Sequence, residues 1–489
     1  MSASPTDLRL RRPDLVRRQM FIEGRWTDAD RAARIDVLNP ATDELIASVP
    51  DAGVAETRRA IAAAESALPA WRARTACERA GVLRRWFDLV TGHREDLARL
   101  LTAEQGKPLA EARAEISYAA GYIEWFAEEG KRVYGDLIPA QQSNRRLLVI
   151  KQPVGVVGAI TSWNFPAALV TRKAAAALAA GCTLVLKPAA QTPLSALALM
   201  VLAQEAGVPD GVLQIVTGSA SAIGAELTSN PTVRKITFTG STQVGRLLMN
   251  ESAATLKRLS LELGGNAPFI VFDDADVASA VEGLMASKFR NSGQTCVCAN
   301  RVLVEDGIYD RFVAALAERV ADLRVGEGTE PGVDQGPLID DAALAKVEEH
   351  VADAIGHGAR LVVGGKRHRR GGRFFEPTVI ADATVEMRLA HEETFGPVAA
   401  IFRFSGEAEA IELANATEYG LAGYFYSESL RRVWRVAEAL ECGIVGVNTG
   451  IISTPVAPFG GIKQSGFGRE GSRYGLDDYL ELKYLCLGV

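Results

Sequence analysis

Apolar residues follow two different patterns along this chain. Between residues 52 and 133 they recur at every third or fourth position, in segments rich in Ala and Arg. That spacing places them on one face of a helix. From residue 153 onward, short runs of apolar and β-branched residues alternate with helix-like segments. Alternation of this kind predicts parallel sheets that are covered by helices on both faces.

The alternation occurs in two series, which predicts two α/β domains. For the first series we expect strands at 154–160, 183–187, 212–217, 233–238 and 258–263, with helices at 167–180 and 195–206. For the second series we expect strands at 268–272, 301–304, 359–363, 398–404, 422–426 and 442–448, with helices at 277–289, 340–355 and 430–440. Nucleotides commonly bind beyond the carboxyl ends of such strands, so polar residues there are candidates for a site.

The two ends of the chain follow other patterns. Residues 20–50 predict short strands with turns, and the segments 54–70, 78–92, 94–104 and 109–129 predict helices. Residues 145–151 predict a further strand, and the apolar tail 479–487 predicts a strand that no later segment covers. An uncovered apolar strand favours contact with a partner subunit.

The composition is that of an ordinary globular protein and argues against several classes of function. The 489 residues are 48% hydrophobic and 23% charged, and about 150 residues per domain predicts two or three domains. A net charge of −6 argues against a nucleic-acid partner. Two basic clusters, at 9–18 and 366–373, are interleaved with acids or glycines and indicate solvated segments. Apolar runs stay well short of the roughly 18 residues that a membrane span needs.

Cysteine and histidine usage indicates the compartment. The six cysteines and five histidines are scattered, without the spacing of a disulfide framework or a zinc site. The first seven residues lack the apolar core of a signal peptide. We therefore expect a cytoplasmic protein that binds no metal and contacts no membrane.

Cys296 is the first candidate for chemistry. It follows a Gly-Gln-Thr turn between a predicted helix and a predicted strand, where a thiol is held for attack. Only the thiolate is nucleophilic, so such a cysteine needs a nearby base, dipole or cation. Most free cysteines are small core residues, and this segment alone does not exclude that interpretation.

Cys298 raises a weaker hypothesis of a regulatory disulfide with Cys296. A disulfide needs Cα atoms within roughly 7 Å, a limit that two residues of extended chain already approach. We therefore favour a packed and inert Cys298.

Two segments at predicted strand ends carry side chains that suit a ligand. Asn164, in Trp163-Asn164-Phe165-Pro166, has a carboxamide that can donate to an oxyanion, and Trp163 can form a wall of the site. A simple turn with a buried aromatic is the alternative, and for this segment alone it is favoured. Lys187 ends a predicted strand just before Pro188, and an ordinary exposed lysine is the alternative there.

The segment from Gly240 and Ser241 to Gly245 predicts a turn between a strand and a helix. The N–H groups at a helix start favour an anion such as a pyrophosphate. The spacing is not GxGxxG, so a simple turn is about equally favoured.

Two carboxylates complete the set of candidates. Glu262 lies between two leucines in a predicted apolar strand. A buried, unpaired Glu is costly unless its pKa rises, which suits a general base near neutral pH. A buried cation as its partner is the alternative. Glu393, two residues before Phe395, lies on a loop before another predicted strand.

Taken together, these segments resemble the aldehyde dehydrogenase superfamily over nearly the whole chain. The motifs WNFP, LELGG, GQTC, EE-x-FGP and PFGGIK occur in the family's order and at its spacing. One such motif is weak evidence for membership of the family, whereas the full set is strong evidence. Within the superfamily, the longer stretches 260–274, 287–301 and 447–453 are most similar to the bacterial succinate-semialdehyde dehydrogenases.

The resemblance implies a fold with two Rossmann-like α/β domains and a small oligomerisation β-flap. The cofactor-binding domain would comprise residues 1–134 and 154–264, the catalytic domain 265–474, and the flap 135–153 and 475–489. A homodimer or homotetramer is implied.

The implied activity is NAD(P)-dependent oxidation of succinate semialdehyde to succinate, on a small aldehyde that carries a carboxylate. Glutarate semialdehyde or a broader aldehyde range is the nearest alternative. A catalytically silent cofactor-binding relative is a further one, against which the joint presence of Cys296, Glu262 and Asn164 argues. A thiol hydrolase that uses Cys296 without redox chemistry is a third alternative, but this function would not explain the presence of the first α/β domain.

The resemblance also implies a role for each site residue. Cys296 would be the nucleophile, Asn164 and the Cys296 N–H would hold the oxyanion, Glu262 would activate water, and Lys173 would lie near the catalytic centre. The implied cofactor-binding residues are Trp163, Asn164, Lys187, Ala190, Gly240, Ser241, Gly245, Leu263, Glu393 and Phe395. The implied substrate-binding residues are Arg172, Arg290 and Ser453, although Arg290 paired with a surface acid is the alternative.

Two residues depart from the family's pattern. Ser162 stands where the family often has Pro, so we expect a slightly looser turn before Trp163. Ala190 stands where many NAD-dependent relatives carry Glu, which accepts hydrogen bonds from the ribose hydroxyls and repels a 2′-phosphate. Ala190 does neither, while Lys187 remains as a cation at the same edge. We therefore predict that NADP is preferred and that NAD is used less efficiently.

Overall fold

All nine helices that the sequence patterns predicted are present, and the structure has further helices that were not given ranges in advance. The computed structural model describes residues 8–489, so the first seven residues of the predicted segment 1–134 lie outside the described residues. The helices are α1 (Val54–Ala73), α2 (Ala76–Gly92), α3 (Arg94–Gln105), α4 (Leu109–Glu129), α5 (Ala168–Ala180), α6 (Leu194–Glu205), α7 (Ala220–Ser229), α8 (Thr242–Ser252), α9 (Val277–Lys288), α10 (Tyr309–Ala321), α11 (Asp341–Gly356), α12 (Arg388–His391), α13 (Glu407–Asn415), α14 (Leu430–Ala439) and α15 (Ser472–Asp477).

The strands alternate with these helices in the two expected series. They are β1 (Met20–Ile22), β2 (Arg25–Thr27), β3 (Arg34–Leu38), β4 (Leu45–Pro50), β5 (Asp136–Ile138), β6 (Arg145–Pro153), β7 (Val156–Ile160), β8 (Thr183–Lys187), β9 (Leu213–Ile215), β10 (Val233–Thr239), β11 (Arg258–Glu262), β12 (Ala267–Val271), β13 (Ala299–Glu305), β14 (Arg360–Val363), β15 (Thr378–Ala383), β16 (Val398–Phe404), β17 (Tyr419–Gly420), β18 (Ala422–Tyr426), β19 (Ile444–Val447), β20 (Ile462–Lys463), β21 (Gly466–Phe467) and β22 (Leu480–Gly488).

The first large sheet has a parallel centre and antiparallel edges. Its order is β2-β1-β9-β8-β7-β10-β11-β21. The pairings from β9 to β11 are parallel, as predicted, whereas β1 and β21 join the edges antiparallel. Apolar periodicity could not assign these edge strands to the sheet, because strands of two or three residues carry too few positions to show a period.

Helices cover both faces of this sheet. Side chains alternate between the faces along a strand, and in β8 Leu184 and Leu186 belong to one hydrophobic cluster while Val185 belongs to another. The first cluster includes residues of α2 to α6, and the second includes residues of α1, α7 and α8. The predicted two-faced coverage is therefore confirmed.

The second large sheet repeats this arrangement. Its order is β14-β15-β16-β13-β12-β18-β19, with only β14 antiparallel to its neighbour. Phe269 and Val271 of β12 face one cluster and Ile270 faces the other. The sequence pattern missed β15, whose run Thr-Val-Ile-Ala-Asp-Ala has few bulky apolar residues and a register shift before Ala383. Parallel pairing with β16 is what makes this segment a strand.

A small antiparallel sheet lies apart from the two large ones. Its order is β22-β6-β5, and the tail strand β22 pairs with β6 along its whole length, from Leu480 to Gly488. Large apolar side chains on it remain exposed, with Leu482 at 71% and Tyr484 at 59%. The predicted uncovered strand is therefore present. Among the described residues, no helix is long and apolar enough to cross a membrane.

Candidate active site

The candidate residues lie where the two large sheets meet. Lys187, Thr239 and Glu262 are the last residues of β8, β10 and β11, at the carboxyl edge of the first sheet. Cys296 and Glu393 precede β13 and β16, at the amino edge of the second. The connection from β11 to β12 spans only residues 263–266, so the carboxyl edge of one sheet is joined directly to the amino edge of the other.

A cavity of about 240 Å³ opens beside Cys296. Its lining includes the predicted nucleophile, the predicted oxyanion donor and all three predicted substrate-binding residues, namely Cys296, Asn164, Arg172, Arg290 and Ser453. The structure thus brings together residues that lie far apart in sequence.

The turn before Cys296 has an unusual backbone conformation. Asn291, Ser292 and Gly293 have φ values of 52°, 57° and 74°, in the left-handed region that non-glycine residues rarely adopt. The Asn291 N–H donates to Glu111 Oε2 at 2.8 Å, and Ser292 Oγ donates to the Gly336 carbonyl at 2.9 Å. These contacts from outside the turn hold the thiol-bearing segment in place.

Gly265, in the LELGG motif, supports Cys296 from behind. A Cβ atom at this position would lie 2.5 Å from the carbonyl oxygen of Cys296, so any other residue would force the main chain at Cys296 to shift.

The Cys296 thiol is protonated at rest. Burial raises its pKa to about 12; Arg172 and Arg290 lower it, while Glu393 and Glu262 raise it further. Attack by this sulfur therefore requires a base. Cys298 is packed instead, with its Sγ 3.5 Å and 3.6 Å from the carbonyls of Lys288 and Ala299, which favours the inert interpretation.

The side-chain amide of Asn164 has a defined orientation. Ser162 Oγ donates to Asn164 Oδ1 at 2.7 Å, and Asn164 Nδ2 donates to the Gln294 carbonyl at 3.2 Å. An amide nitrogen has two hydrogens, so one remains to donate to a ligand. The looser turn that we expected from Ser162 is offset by this hydrogen bond.

Glu262 is buried, with 2% of its surface exposed. Neither of its carboxylate oxygens has a hydrogen-bond partner among the described residues. Burial, followed by the charge of Glu470, raises the pKa of Glu262 well above its usual value, although Arg172 and Lys173 lower it. The carboxyl group therefore retains its proton to higher pH than an exposed Glu.

The buried cations near Glu262 pair with a different acid. Lys173 Nζ donates to Thr239 Oγ1 at 2.6 Å, and both Lys173 and Arg172 form ion pairs with Glu470. The Arg172 guanidinium also lies over the ring of Phe459, 4.4 Å from its centroid. Arg172 lines the cavity, but one side of its guanidinium is occupied by Glu470.

Unlike Arg172, Arg290 forms no ion pair with an acidic side chain of the described residues. No salt bridge within residues 8–489 includes Arg290, and its Nε has no hydrogen-bond partner there. Its guanidinium carbon lies 5.4 Å from the centroid of the Phe165 ring. The alternative of a surface acid as its partner is not observed. Ser453 lines the same cavity from the loop between β19 and β20.

Several of the predicted cofactor residues lie at or just beyond the carboxyl edge of the first sheet, namely Lys187, Ala190, Gly240 and Ser241. Lys187 is buried and donates to the Pro188 carbonyl at 3.0 Å, and burial lowers its pKa to about 8. Half-buried Ala190 lies three residues further on. Gly240 N–H donates to the Glu262 carbonyl at 3.1 Å, and Ser241 caps α8 by accepting from the Val244 N–H at 3.3 Å.

Leu263 and Gly245 bring α8 close to this edge. A Cβ on Gly245 would lie 2.5 Å from Leu263 Cδ2, so the glycine allows the start of the helix to pack on the leucine.

Glu393 closes the other side of the site. Its Oε1 accepts a hydrogen bond from the Gly265 N–H at 3.0 Å, and burial raises its pKa to about 7. The rings of Trp163 and Phe395 meet edge to face, with centroids 5.5 Å apart. Phosphates suit the N–H groups at the start of α8 and the Lys187 cation, and ribose hydroxyls suit the Glu393 carboxylate. The residues present thus fit a dinucleotide.

The described residues offer no comparable set of side chains for binding a metal ion. Within the part of the chain that the structure describes, no group of three or more His, Cys, Asp or Glu side chains could hold a metal ion.

Three buried charged residues at this site escaped the sequence patterns. Glu470, on a loop, binds Arg172 and Lys173. Lys107 and Glu115 form a second buried ion pair that lines the cavity. A signal for Glu115 existed, because it occupies a core-facing position of α4, next to Ile116 and four residues before Ala119. A loop residue such as Glu470 carried no such signal.

Known proteins resemble the chain over almost its full length. The sequence profile of the aldehyde dehydrogenase family matches residues 26–485. A succinate-semialdehyde dehydrogenase (NADP+) of Escherichia coli strain K12 is 64% identical over 482 residues, which cover 99% of this chain and 100% of that protein. A glutarate-semialdehyde dehydrogenase of Pseudomonas aeruginosa is 63% identical over 481 residues, covering 98% and 100%. The crystal structure of succinate-semialdehyde dehydrogenase from Burkholderia pseudomallei has a TM-score of 0.98 at 60% identity, covering 98% of this chain and 100% of that one. The expected fold and the family resemblance are confirmed.

Proposed function

The chain belongs to the aldehyde dehydrogenase family, and from this premise we propose that it oxidises succinate semialdehyde to succinate with NADP. The observation that carries the proposal is the cavity that holds a thiol, Cys296, together with the guanidinium of Arg290 and the hydroxyl of Ser453. A short aldehyde with a terminal carboxylate matches both kinds of group.

Cys296 is the nucleophile in this proposal. Its sulfur forms a bond to the aldehyde carbon, and the carbonyl oxygen becomes an oxyanion. Asn164 Nδ2 and the Cys296 N–H donate to that oxyanion, and such donors stabilise it most where water is excluded. The thiol proton leaves to a base, which a pKa of about 12 makes necessary.

When bound, NADP would supply the hydride acceptor for oxidation of the resulting thiohemiacetal to a thioester on Cys296. We expect the polar groups of NADP to bind Lys187, Ser241 and Glu393. Gly240 and Gly245 allow its close approach. The residues that line its site are Trp163, Ala190, Leu263 and Phe395.

Glu262 acts on the thioester. Glu262 is buried and has no hydrogen-bond partner in the described chain. Once it has lost its own proton, its carboxylate is available to accept one from water. The hydroxide equivalent adds to the thioester carbon, and the Cys296–carbon bond breaks to release the acid. A raised pKa makes Glu262 a stronger base than an exposed Glu.

A carboxylate clamp is our proposal for substrate choice. The fork of Arg290 can bind a carboxylate with two parallel hydrogen bonds, which a lysine cannot reproduce. Arg172 and Ser453 lie at the same cavity, with Arg172 contributing the side that Glu470 leaves free. Glutarate semialdehyde is the second candidate, since the relative named for it is 63% identical and its substrate carries the same terminal group.

Specificity constants test the substrate proposal. We expect kcat/KM for succinate semialdehyde to exceed the value for glutarate semialdehyde, and both to exceed the value for propanal, with NADP preferred to NAD for each. Arg290→Ala should raise KM for succinate semialdehyde but spare propanal. Equal losses on the two substrates would reject the clamp.

Two active-site variants test the chemistry. Cys296→Ala should abolish oxidation with little loss of cofactor binding. Glu262→Gln should slow hydrolysis of the thioester most, so that a burst of reduced cofactor survives at the start of the reaction. Steady-state turnover near the wild-type value in either variant would contradict the assignment.

The remaining proposals concern the whole chain. We propose the domain division given above and a homodimer or homotetramer assembled through the β5-β6-β22 sheet, supported by its exposed apolar side chains Leu137, Leu482 and Tyr484. Six free cysteines, including the nucleophile, suit a reducing compartment, and we therefore place the enzyme in the cytoplasm.

A further inference from the structure

A buried ion pair beside the cavity has no part in the chemistry proposed above. Lys107, on the loop between α3 and α4, lies with its Nζ 2.6 Å from Oε2 of Glu115, and each side chain is 1% exposed. Burying two charges costs free energy that their attraction seldom exceeds, so a buried pair is weak evidence for a stabilising role. Its other contacts indicate what it does.

The same ammonium group binds the main chain of Asn164. Lys107 Nζ donates to the Asn164 carbonyl at 2.8 Å and lies 4.0 Å from the centroid of the Phe165 ring. Asn291 Nδ2 donates to the same carbonyl at 3.0 Å. The peptide that follows Asn164 is thus held by two donors, one from the α3–α4 loop and one from the turn before Cys296.

The carboxylate partner binds the next residues of the same segment. Glu115 Oε1 accepts from the N–H groups of Ala167 and Ala168, at 2.9 Å and 3.3 Å. These N–H groups belong to the start of α5, whose N-cap residue provides no side-chain cap. Lys107 and Glu115 together therefore fix the chain from Asn164 to the first turn of the helix that carries Arg172 and Lys173.

We propose that Lys107, held by Glu115, is a positioning residue for the side-chain amide of Asn164. This inference rests on the proposed function, in which that amide binds the oxyanion on Cys296. The carbonyl contact prevents rotation of the Asn164 peptide, and the Ser162 hydroxyl fixes the amide from its other end. Misplacement of such a donor by about 1 Å is enough to lose much of its effect.

Single-turnover kinetics of Lys107→Met test the proposal. Methionine keeps the length of the side chain but removes its charge and donors. We expect hydride transfer at saturating aldehyde to slow by about tenfold, a part of the roughly hundredfold cost of losing an oxyanion donor altogether. NADP affinity and the rate of Cys296 alkylation by iodoacetamide should stay within about twofold, because Lys107 contacts Glu115, the Asn164 carbonyl and Phe165 and neither the Cys296 thiol nor the residues that we expect to hold the phosphates and ribose.

A matched control separates positioning from a general loss of stability. Lys257 is also a buried lysine whose Nζ binds main-chain carbonyls, those of Asn230 and Val233 at 2.6 Å each, but it does not line the cavity. Lys257→Met should leave the rate of hydride transfer unchanged. A comparable slowing in both variants would overturn the positioning role.

A double-mutant cycle with Asn164→Ala decides whether Lys107 acts through Asn164. If it does, adding Lys107→Met to Asn164→Ala should slow the reaction by less than about twofold more. Fully multiplicative effects would reject the proposal. Should Asn164→Ala itself keep the wild-type rate, the oxyanion assignment of the proposed function is wrong. If hydride transfer is slow in Asn164→Ala but has the wild-type rate in Lys107→Met, the positioning role of Lys107 is rejected and the proposed function is not.

Glu115→Gln provides a second route if Lys107→Met does not fold. The amide keeps an oxygen for the Ala167 N–H but removes the charge opposite Lys107. We expect slowing by about threefold with unchanged NADP affinity, and Lys107→Arg should retain more activity than Lys107→Met. A wild-type rate of hydride transfer in Glu115→Gln would count against a positioning role for the Lys107–Glu115 pair.

Discussion

At the scale of single residues, burial controls the reactivity of Cys296. Its thiol pKa of about 12 implies that the reactive thiolate increases about tenfold for each pH unit below that value. We therefore expect alkylation of the free enzyme by iodoacetamide to accelerate steadily from pH 7 to pH 10. Cys77 and Cys486 are exposed, so their contribution is subtracted with Cys296→Ala. A plateau at pH 7 to 8 would show that the thiol is already ionised there.

Ser162 is the residue whose role the structure changes most. Its hydroxyl binds Asn164 Oδ1 at 2.7 Å, and one such hydrogen bond contributes about 1 kcal/mol, or about fivefold in rate. Ser162→Ala should lower kcat by about that factor and leave KM for NADP unchanged. Ser162→Thr keeps the hydroxyl and serves as the control. Unchanged kcat in Ser162→Ala would show that the amide is held without it.

Ala190 is the residue on which cofactor choice depends. Glu in its place would accept hydrogen bonds from ribose hydroxyls, repel a 2′-phosphate and offset the charge of Lys187. Ala190→Glu should shift the ratio of kcat/KM values toward NAD by at least about tenfold, or about 1.4 kcal/mol. Ala190→Gln, which lacks the charge, should shift it less. The idea fails if the wild-type enzyme already excludes NADP.

At the scale of elements, acids from neighbouring helices supply caps that the sequence around a helix lacks. The N-cap of α6 is Pro193, which has no side-chain oxygen, and both oxygens of Glu104 accept from Leu194 and Ser195 N–H groups instead, at 2.8 Å or less. Glu104→Ala should lower the free energy of unfolding by about 1–3 kcal/mol. Urea denaturation measures this, with the exposed α1 residue Glu65→Ala as the control.

The same acid gives the fold a dependence on pH. Burial raises the pKa of Glu104 to about 8, above the value of about 4.3 in an unfolded chain. The folded state therefore binds a proton more tightly, and this contribution to stability is lost as pH rises from about 4.3 to 8. The free energy of unfolding should fall over this range more steeply in the wild type than in Glu104→Gln. Equal slopes would contradict the raised pKa.

At the scale of the whole molecule, the β5-β6-β22 sheet is the surface that we expect to carry assembly. Leu482 and Tyr484, on the same face of β22, are 71% and 59% exposed, which is costly for a lone subunit. Leu482→Asp with Tyr484→Asp should shift the sedimentation coefficient toward that of a monomer. Leu256→Asp, at a 92% exposed leucine elsewhere, should not. Identical sedimentation of the wild type and the flap variant would reject this interface.

Most elements were predictable from the sequence because their signals are local. The strands β8, β16 and β18 begin and end where the apolar runs do, and α4 spans the predicted 109–129. The short strands β1 and β2 were expected, but their place at the edge of the first sheet was not. The strands β21 and β15 were missed, because each is defined by pairing with another segment rather than by its own periodicity. Motif spacing identified Cys296, Asn164 and Glu262 as candidates, since turns at strand ends leave local marks in the sequence.

The sequence by itself thus determined the two alternating series, the family and the candidate nucleophile, amide and base. The tertiary structure alone decided which buried charges meet. Glu470 occupies one side of Arg172 and binds Lys173, while Lys107 binds Glu115 and the Asn164 carbonyl. The physical reason is that a buried charge takes its partner from whatever segment packs against it, and packing joins residues hundreds of positions apart. Periodicity describes which face of an element is buried, but not what lies opposite that face.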